Sequence, residues 1–235
     1  MASPGAAGRQ QQAPLSGEDP RAAEKRAAAR AAAELVRDGM RLGLGTGSTV
    51  AHLLPAIAER SLPDLVCVAT STATEQAALA LGLRVRELDD VGELDLAIDG
   101  ADQVDPAGWL IKGGGGAHTR EKIVASAARE FVVIVSAEKE VEQLTAPVPL
   151  ELLSFGATVV LAQLAPAALR QCPPSPDGNL IADYVGAIGE PRALSARLSA
   201  TAGVVEHGLF APELVSVILT GAGADVRRRR GGKRS

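Results

Sequence analysis

The sequence predicts an α/β fold: a Rossmann-like three-layer domain on a parallel sheet, with a small α+β domain inserted in its second half. Three observations predict it. Short apolar stretches at 40–44, 65–69, 83–85, 94–98 and 131–135 alternate with turn signals and helical stretches, the pattern of parallel strands joined by crossover helices that cover both sheet faces. Beyond Glu142 the texture changes, as prolines gather and shorter strand and helix candidates follow. At 235 residues, the chain suits one large domain or a core plus a smaller second one.

Residues 1–20 are rich in Gly, Pro, Gln and Ala without apolar periodicity and read as a disordered leader. From 21 to 37 the composition is almost all Ala, Arg, Glu and Leu, a strong helix that Asp38-Gly39 ends. Residues 21–144 and 216–226 are read as the Rossmann-like domain. Between them, 145–215 is read as a small α+β domain of ferredoxin-like type. It contains a proline-rich segment at 147–176, with an apolar stretch at 155–169 that suits helix or strand. A tight turn at Asp177-Gly178-Asn179, a strand at 180–185, a helix at 191–202 and a strand at 203–206 follow. The strand at 214–219 returns to the main sheet. Residues 227–235 hold six of the 24 basic residues and no acid, and read as a solvated basic tail.

Composition excludes several functions. Only Phe131, Phe155, Phe210, Trp109 and Tyr184 are aromatic, so base-stacking platforms for nucleic acid are not expected. Cys67 and Cys172 have neither metal-ligand nor redox spacing. No apolar run approaches the ~18 to 20 residues of a membrane span, and no signal-peptide stretch is present, so a cytoplasmic protein with no membrane partner is expected.

The chemistry gathers where strands end. Gly43-Leu44-Gly45-Thr46-Gly47-Ser48-Thr49 lies between a strand and a helix start. Glycines let the backbone approach an anion, the hydroxyls of Thr46, Ser48 and Thr49 can donate to it, and the helix N-terminus adds positive potential. A plain glycine turn is the alternative. Asp99-Gly100-Ala101-Asp102 follows the strand at 94–98; its two carboxylates suit proton transfer between hydroxyls or a divalent metal, or else a capped turn. Lys112-Gly113-Gly114-Gly115-Gly116 precedes Ala117-His118-Thr119-Arg120-Glu121-Lys122. Four glycines carry a large ordering cost, which a ligand needing that backbone would justify; a flexible surface loop before an amphipathic helix is the alternative. Thr119 as N-cap would put Glu121 in the first helical turn, where the helix dipole favours an ionised base. Lys139, after the strand at 131–135, would point into the same crevice at the carboxyl ends of the strands, a solvated surface lysine being the alternative. His52 and His207 read as structural, and no cluster has metal spacing.

Together GLGTGST (43–49), DGAD (99–102), KGGGG (112–116), TREK (119–122) and SPDGNLIAD (175–183) resemble ribose-5-phosphate isomerase, type A, over about residues 25–226. That resemblance implies reversible isomerisation of ribose 5-phosphate and ribulose 5-phosphate through an enediolate, in the non-oxidative pentose phosphate pathway, without metal or organic cofactor. It implies Glu121 as the base, Asp99 and Asp102 as handlers of hydroxyl protons, and Lys112 as the group that stabilises the oxyanion. It places the phosphate on Ser48, Thr49, Lys25 and Lys139, with Thr46 and Gly47 nearby. Gly100, Ala101 and Gly113, Gly114 and Gly115 complete the substrate contacts, the last three through backbone N–H groups. A homodimer or homotetramer is implied.

This chain departs from the family pattern at Gln103, where Glu is usual, and at His118, often apolar, whose imidazole beside Glu121 would alter the pH profile. Between 161 and 177 it is shorter and richer in proline. Two rival readings share the scaffold. A sugar-phosphate effector domain of a repressor would need a DNA-reading motif that the first 20 residues do not supply, and has no need of Glu121, Lys112 and both aspartates. An acyl-coenzyme A transferase or amino-sugar isomerase would not exchange the C2 proton of ribose 5-phosphate.

Overall fold

The computed structural model describes residues 21–233. The leader expected at 1–20 lies outside the described residues. The first helix, α1 (Ala22–Ala33), is shorter than expected. It leads into β1 (Arg41–Leu44), α2 (Ser48–Ala58), β2 (Val66–Ala69), α3 (Thr72–Ala80), β3 (Arg84–Val85), the single turn α4 (Leu88–Val91) and β4 (Leu94–Asp99). Two short strands, β5 (Gln103–Val104) and β6 (Leu110–Ile111), precede α5 (His118–Ala127) and the long β7 (Ala128–Ser136). The second half runs β8 (Val148–Leu152), α6 (Ala157–Gln163), β9 (Ala167–Leu169), β10 (Leu180–Tyr184), α7 (Pro191–Ser199), β11 (Val204–His207), β12 (Leu209–Phe210), β13 (Val217–Ala222) and β14 (Asp225–Arg230).

The main sheet has the order β14-β13-β7-β4-β1-β2-β3, parallel throughout except for β14. Its interior strand β7 is buried without interruption over Phe131–Ser136, as a strand covered on both faces requires. Alternate side chains go to opposite layers. Val132 and Ile134 pack with α1 and α2, while Phe131, Val133 and Val135 pack with Val124 and Ala125 of α5. The fold is therefore the expected three-layer α/β arrangement. Strand order reverses between β1 and β4, so the loops after these two strands diverge and leave a crevice at their carboxyl ends.

From β8 to β11 the elements read β-α-β-β-α-β, and the strands form an antiparallel sheet in the order β11-β8-β10-β9, the ferredoxin-like arrangement. Its core holds Leu150, Leu152, Ala182, Leu194 and Leu198. The ambiguous stretch at 155–169 resolves into α6 and β9. A third sheet, β12-β6-β5, was not expected. It runs between the two larger units: Ile111 and Leu209 pack into the core of the small domain, and Leu110 and Phe210 into that of the main sheet.

The basic tail expected at 227–235 is corrected. Arg227, Arg228, Arg229 and Arg230 belong to β14, paired antiparallel with β13 from Ala222↔Asp225 to Val217↔Arg230. Arg227 pairs with Glu140, and Arg229 donates to the carbonyls of Asp105 and Pro106. Strand alternation puts these two on one face, where acceptors hold them. Among the described residues no helix is long and apolar enough to cross a membrane.

Candidate active site

The crevice between the β1 and β4 loops opens into a cavity of about 210 Å³, lined by Lys25, Thr46, Gly47, Ser48, Thr49, Gly100, Ala101, Asp102, Lys112, Gly113, Gly114, Gly115, Glu121 and Lys139. Of the residues singled out in the sequence, only Asp99 is missing from the lining. Arg21 and Glu138 also line it and were not foreseen. Arg21 stands one helical turn before Lys25, a spacing that could have flagged it.

One end of the cavity is cationic and rich in donors. Gly47 ends the β1 loop at φ 124°, a conformation only glycine adopts without strain, and this turns the chain into α2. The first N–H groups of α2, at Ser48 and Thr49, lack intrahelical acceptors and face the same space as Lys25 and Lys139. Glu138 restrains this cluster through an ion pair with Arg21 and a longer one, 3.9 Å, with Lys139. Thr46 departs from expectation. Its hydroxyl is 2.9 Å from those of Thr70 and Ser71, and donates to Ser71. Its main-chain N–H goes to the Asp99 carboxylate at 3.1 Å.

The other end holds a buried charge cluster. Lys112, after β6, puts its Nζ 2.8 Å from Asp99 Oδ2, 3.0 Å from Glu121 Oε2 and 2.7 Å from the Gly100 carbonyl. Lys112 is 2% exposed and Glu121 5%. The well-aligned hydrogen bond of the ammonium goes to Gly100, whereas Asp99 Oδ2 and Glu121 Oε2 meet it at ion-pair distance without hydrogen-bond alignment. Burial pushes the Glu121 carboxyl up to about 7, helped by the charge of Asp99 and opposed by Lys112. Burial likewise raises Asp99, and the two carboxylates hold Lys112 well above its ordinary range despite its burial.

Asp99 stands apart from the other residues singled out in the sequence, because it touches the cavity only through Lys112. It is fully enclosed behind Lys112, with Oδ1 accepting from the N–H groups of Thr46 and Gly100. A Cβ at Gly45 would overlap this carboxylate, so glycine there is what lets β1 and β4 share the space. Asp102 does line the cavity. Its Oδ2 accepts from Gly114 N–H at 2.9 Å, while its own N–H goes to the Ile111 carbonyl at 2.8 Å, tying DGAD to the small central sheet.

The start of α5 also differs from expectation. Its N-cap is Ala117, without a side-chain cap, and Thr119 lies inside the helix with its hydroxyl donating to Glu151 of β8. Glu151 is buried and accepts further from Ser175 at 2.6 Å and Asn179 at 2.8 Å. Arg120 forks onto Asp177, and Lys122 donates to Glu206 and to the His207 carbonyl, both at 2.7 Å. Three of the four TREK side chains thus grip the small domain, and Glu121 alone turns to the cavity. The Phe210 ring lies under both Lys112 and Lys122, 5.6 and 4.9 Å from their ammonium nitrogens. Sequence could not pair Glu151 or Phe210 with TREK, because nothing local links them.

His118 is completely buried, and neither ring nitrogen finds a hydrogen-bond partner among the described residues. Burial pulls it down to about 4, opposed chiefly by the charge of Glu151. Near pH 7 it is therefore neutral and brings no charge to Glu121. His207 is buried and bonded to Ser199 at 3.0 Å, a structural histidine. Among the described residues no group of three or more His, Cys, Asp or Glu is placed to hold a metal ion.

Comparison with known proteins adds names to this geometry. Residues 66–224 match the family model described as ribose 5-phosphate isomerase A (phosphoriboisomerase A). The ribose-5-phosphate isomerase A of Methanosarcina acetivorans is 46% identical over 201 residues, 80% of this chain and 86% of that one. The crystal structure of the Neisseria gonorrhoeae enzyme superposes with a TM-score of 0.84 at 33% identity, covering 88% of this chain and 95% of the other. A D-ribose-5-phosphate isomerase in complex with phospho-erythronic acid gives 0.83 at 33%, over 88% and 97%.

Proposed function

The chain belongs to the ribose 5-phosphate isomerase A family, and from that premise we propose how its residues divide the work. The protein is an aldose-ketose isomerase that interconverts D-ribose 5-phosphate and D-ribulose 5-phosphate. One observation carries the assignment of roles: a buried carboxylate, Glu121, raised toward neutrality by burial, stands beside a buried ammonium in a cavity that Lys25, Lys139, Ser48 and Thr49 also line.

In this reading Glu121 removes the proton from C2 of the open-chain aldose and returns it to C1, leaving the carbonyl at C2. Between the two transfers the sugar is an enediolate, whose negative charge sits against Lys112 and the N–H groups of the glycine loop. Asp102, the aspartate that faces the cavity, moves the hydroxyl proton between O1 and O2 and assists ring opening. Asp99 keeps Lys112 charged and aimed. Ser48 and Thr49 at the start of α2 hold the phosphate with Lys25 and Lys139, and Arg21 adds charge. Every step is assigned to side chains and backbone of this chain, so the reading calls for no metal or organic cofactor. The phosphopentose is the partner; nucleic acid and membrane have no part in it. A homodimer or homotetramer in the cytoplasm completes the proposal, supported by family membership and by the exposed apolar side chains of Leu153, Phe155 and Val159 on the small domain.

The test is direct. Chelator-treated protein given ribose 5-phosphate in deuterated water should form ketose and exchange the C2 proton, and Glu121→Gln should lose both by at least about 1,000-fold while keeping its fold. Near-normal turnover in that variant would remove the base from the reading.

A further inference from the structure

We propose that Arg170 is a positioning residue for the isomerisation, fixing the direction in which the glycine loop presents its N–H groups to the substrate. The proposal rests on the isomerase reading above and goes beyond it to a residue of the small domain that lies outside every site motif.

Arg170 follows β9, and its own N–H is anchored on the Ile181 carbonyl at 2.9 Å. One edge of its guanidinium, Nε at 3.0 Å together with Nη2, grips the Asp183 carboxylate of β10. That grip aims the remaining nitrogen, Nη1, which donates to the carbonyls of both Gly113 and Gly114, each at 3.0 Å. A planar fork gripped at two points fixes the direction of its third nitrogen, which the rotating donors of an ammonium do not.

The consequence follows from peptide geometry. In a trans peptide the C=O and the following N–H point in opposite directions. With the Gly113 carbonyl turned to Arg170, the Gly114 N–H points the other way, where it meets Asp102 Oδ2 at 2.9 Å. The same constraint on the Gly114 carbonyl sends the Gly115 N–H away from Arg170. Gly115 lines the cavity, and its N–H has no hydrogen-bond partner among the described residues. It is therefore a donor held ready for oxygen on the substrate. The Gly113 carbonyl also accepts from the Gly116 N–H at 3.0 Å, and Asp102 holds the Gly114 N–H, so the peptide that depends on the guanidinium is the one between Gly114 and Gly115. Glycine rotates it at little steric cost, and without Arg170 it would sample orientations that offer a carbonyl oxygen, not the Gly115 N–H, to a developing oxyanion.

Arg170 contacts nothing at the phosphate end of the cavity, and this separates positioning from general scaffolding. Arg170→Lys keeps the charge and loses the fork. We expect its kcat to fall about 10- to 100-fold with KM changed less than about threefold, and inorganic phosphate to inhibit as strongly as in the parent. Asp183→Asn, which leaves the guanidinium but loosens its aim, should lower kcat by a smaller factor in the same pattern. A folded Arg170→Lys protein with kcat within about twofold of the parent overturns the proposal. So does a fall in kcat accompanied by an equal weakening of phosphate inhibition, which would mark a general distortion. If Arg170→Lys does not fold, the same readouts on Asp183→Asn decide. Failure of the underlying reading looks different, because the parent itself would then form no ketose.

Discussion

Glu121 and Lys112 stand 3.0 Å apart, yet one is brought by the first turn of α5 and the other by the end of β6. The two elements meet because α5 is seated on the main sheet through Val124 and Ala125 and tied to the small domain through Thr119, Arg120 and Lys122, while β6 runs between the two larger units. The carboxylate is thereby held in a place it would not occupy for stability, since burial raises it to about 7 against the pull of the ammonium.

A base must be ionised to act, so kcat/KM should fall on the acid side with a midpoint near pH 7. The same shift fixes a sign for stability. A carboxyl raised in the folded state contributes stability that is fully present below its unfolded value, near 4.5, and is lost as pH rises through about 7. Glu121→Gln should therefore melt higher than the parent at pH 8, by on the order of 1 kcal/mol, with the gap closing toward pH 4.5. Thermal melts at the two pH values check it.

Lys112→Met removes the charge that pulls Glu121 down and leaves two buried carboxylates unpaired. Residual activity should be at least about 100-fold lower, its acidic limb should move above that of the parent, and stability at neutral pH should drop by about 3 kcal/mol. A limb that stays in place would show that Lys112 does not set the state of Glu121.

Gly45→Ala drives a methyl group into the Asp99 carboxylate. Either β1 and β4 separate or Asp99 leaves Lys112, so we expect a loss of about 2 kcal/mol or more in denaturant melts together with a sharp fall in kcat.

His118→Leu replaces a buried imidazole without hydrogen-bond partners by an apolar side chain. The variant should gain about 1 kcal/mol at neutral pH. Its difference from the parent should grow in acid, because the folded-state value of His118, about 4, lies below the ordinary 6.5 and the native state loses stability as pH falls between them. Unfolding midpoints at pH 7 and pH 5 measure both effects, and the acidic limb of activity should stay where Glu121 puts it.

Much of this was legible in the sequence because the governing chemistry is local. Glycines and hydroxyls at a strand-to-helix junction announce an anion cradle, and the uninterrupted apolar run of β7 announces a strand buried on both faces. What could not be read depends on partners distant in the chain. Asp99 and Asp102 look equivalent in DGAD, yet the approach of Gly45 and Lys112 buries one, and only the other faces the cavity. Thr119 has the chemistry of a helix cap, but Glu151, 32 residues away, claims its hydroxyl. Strands β5, β6 and β12 have two residues each, too few for any alternation to show. Arg170 sits in an unremarkable stretch, and its importance appears only once Asp183 has turned it toward the glycine loop.

The arginines of β14 bear on how the protein can be handled. This strand shields β13, which runs beside β7 and packs against α1, the helix that brings Lys25 to the cavity. Trimming the chain at residue 224 would uncover a long apolar ladder ready to join another molecule side by side. A shortened version should therefore clump before it loses its chemistry, and a purification tag is best attached at the opposite terminus.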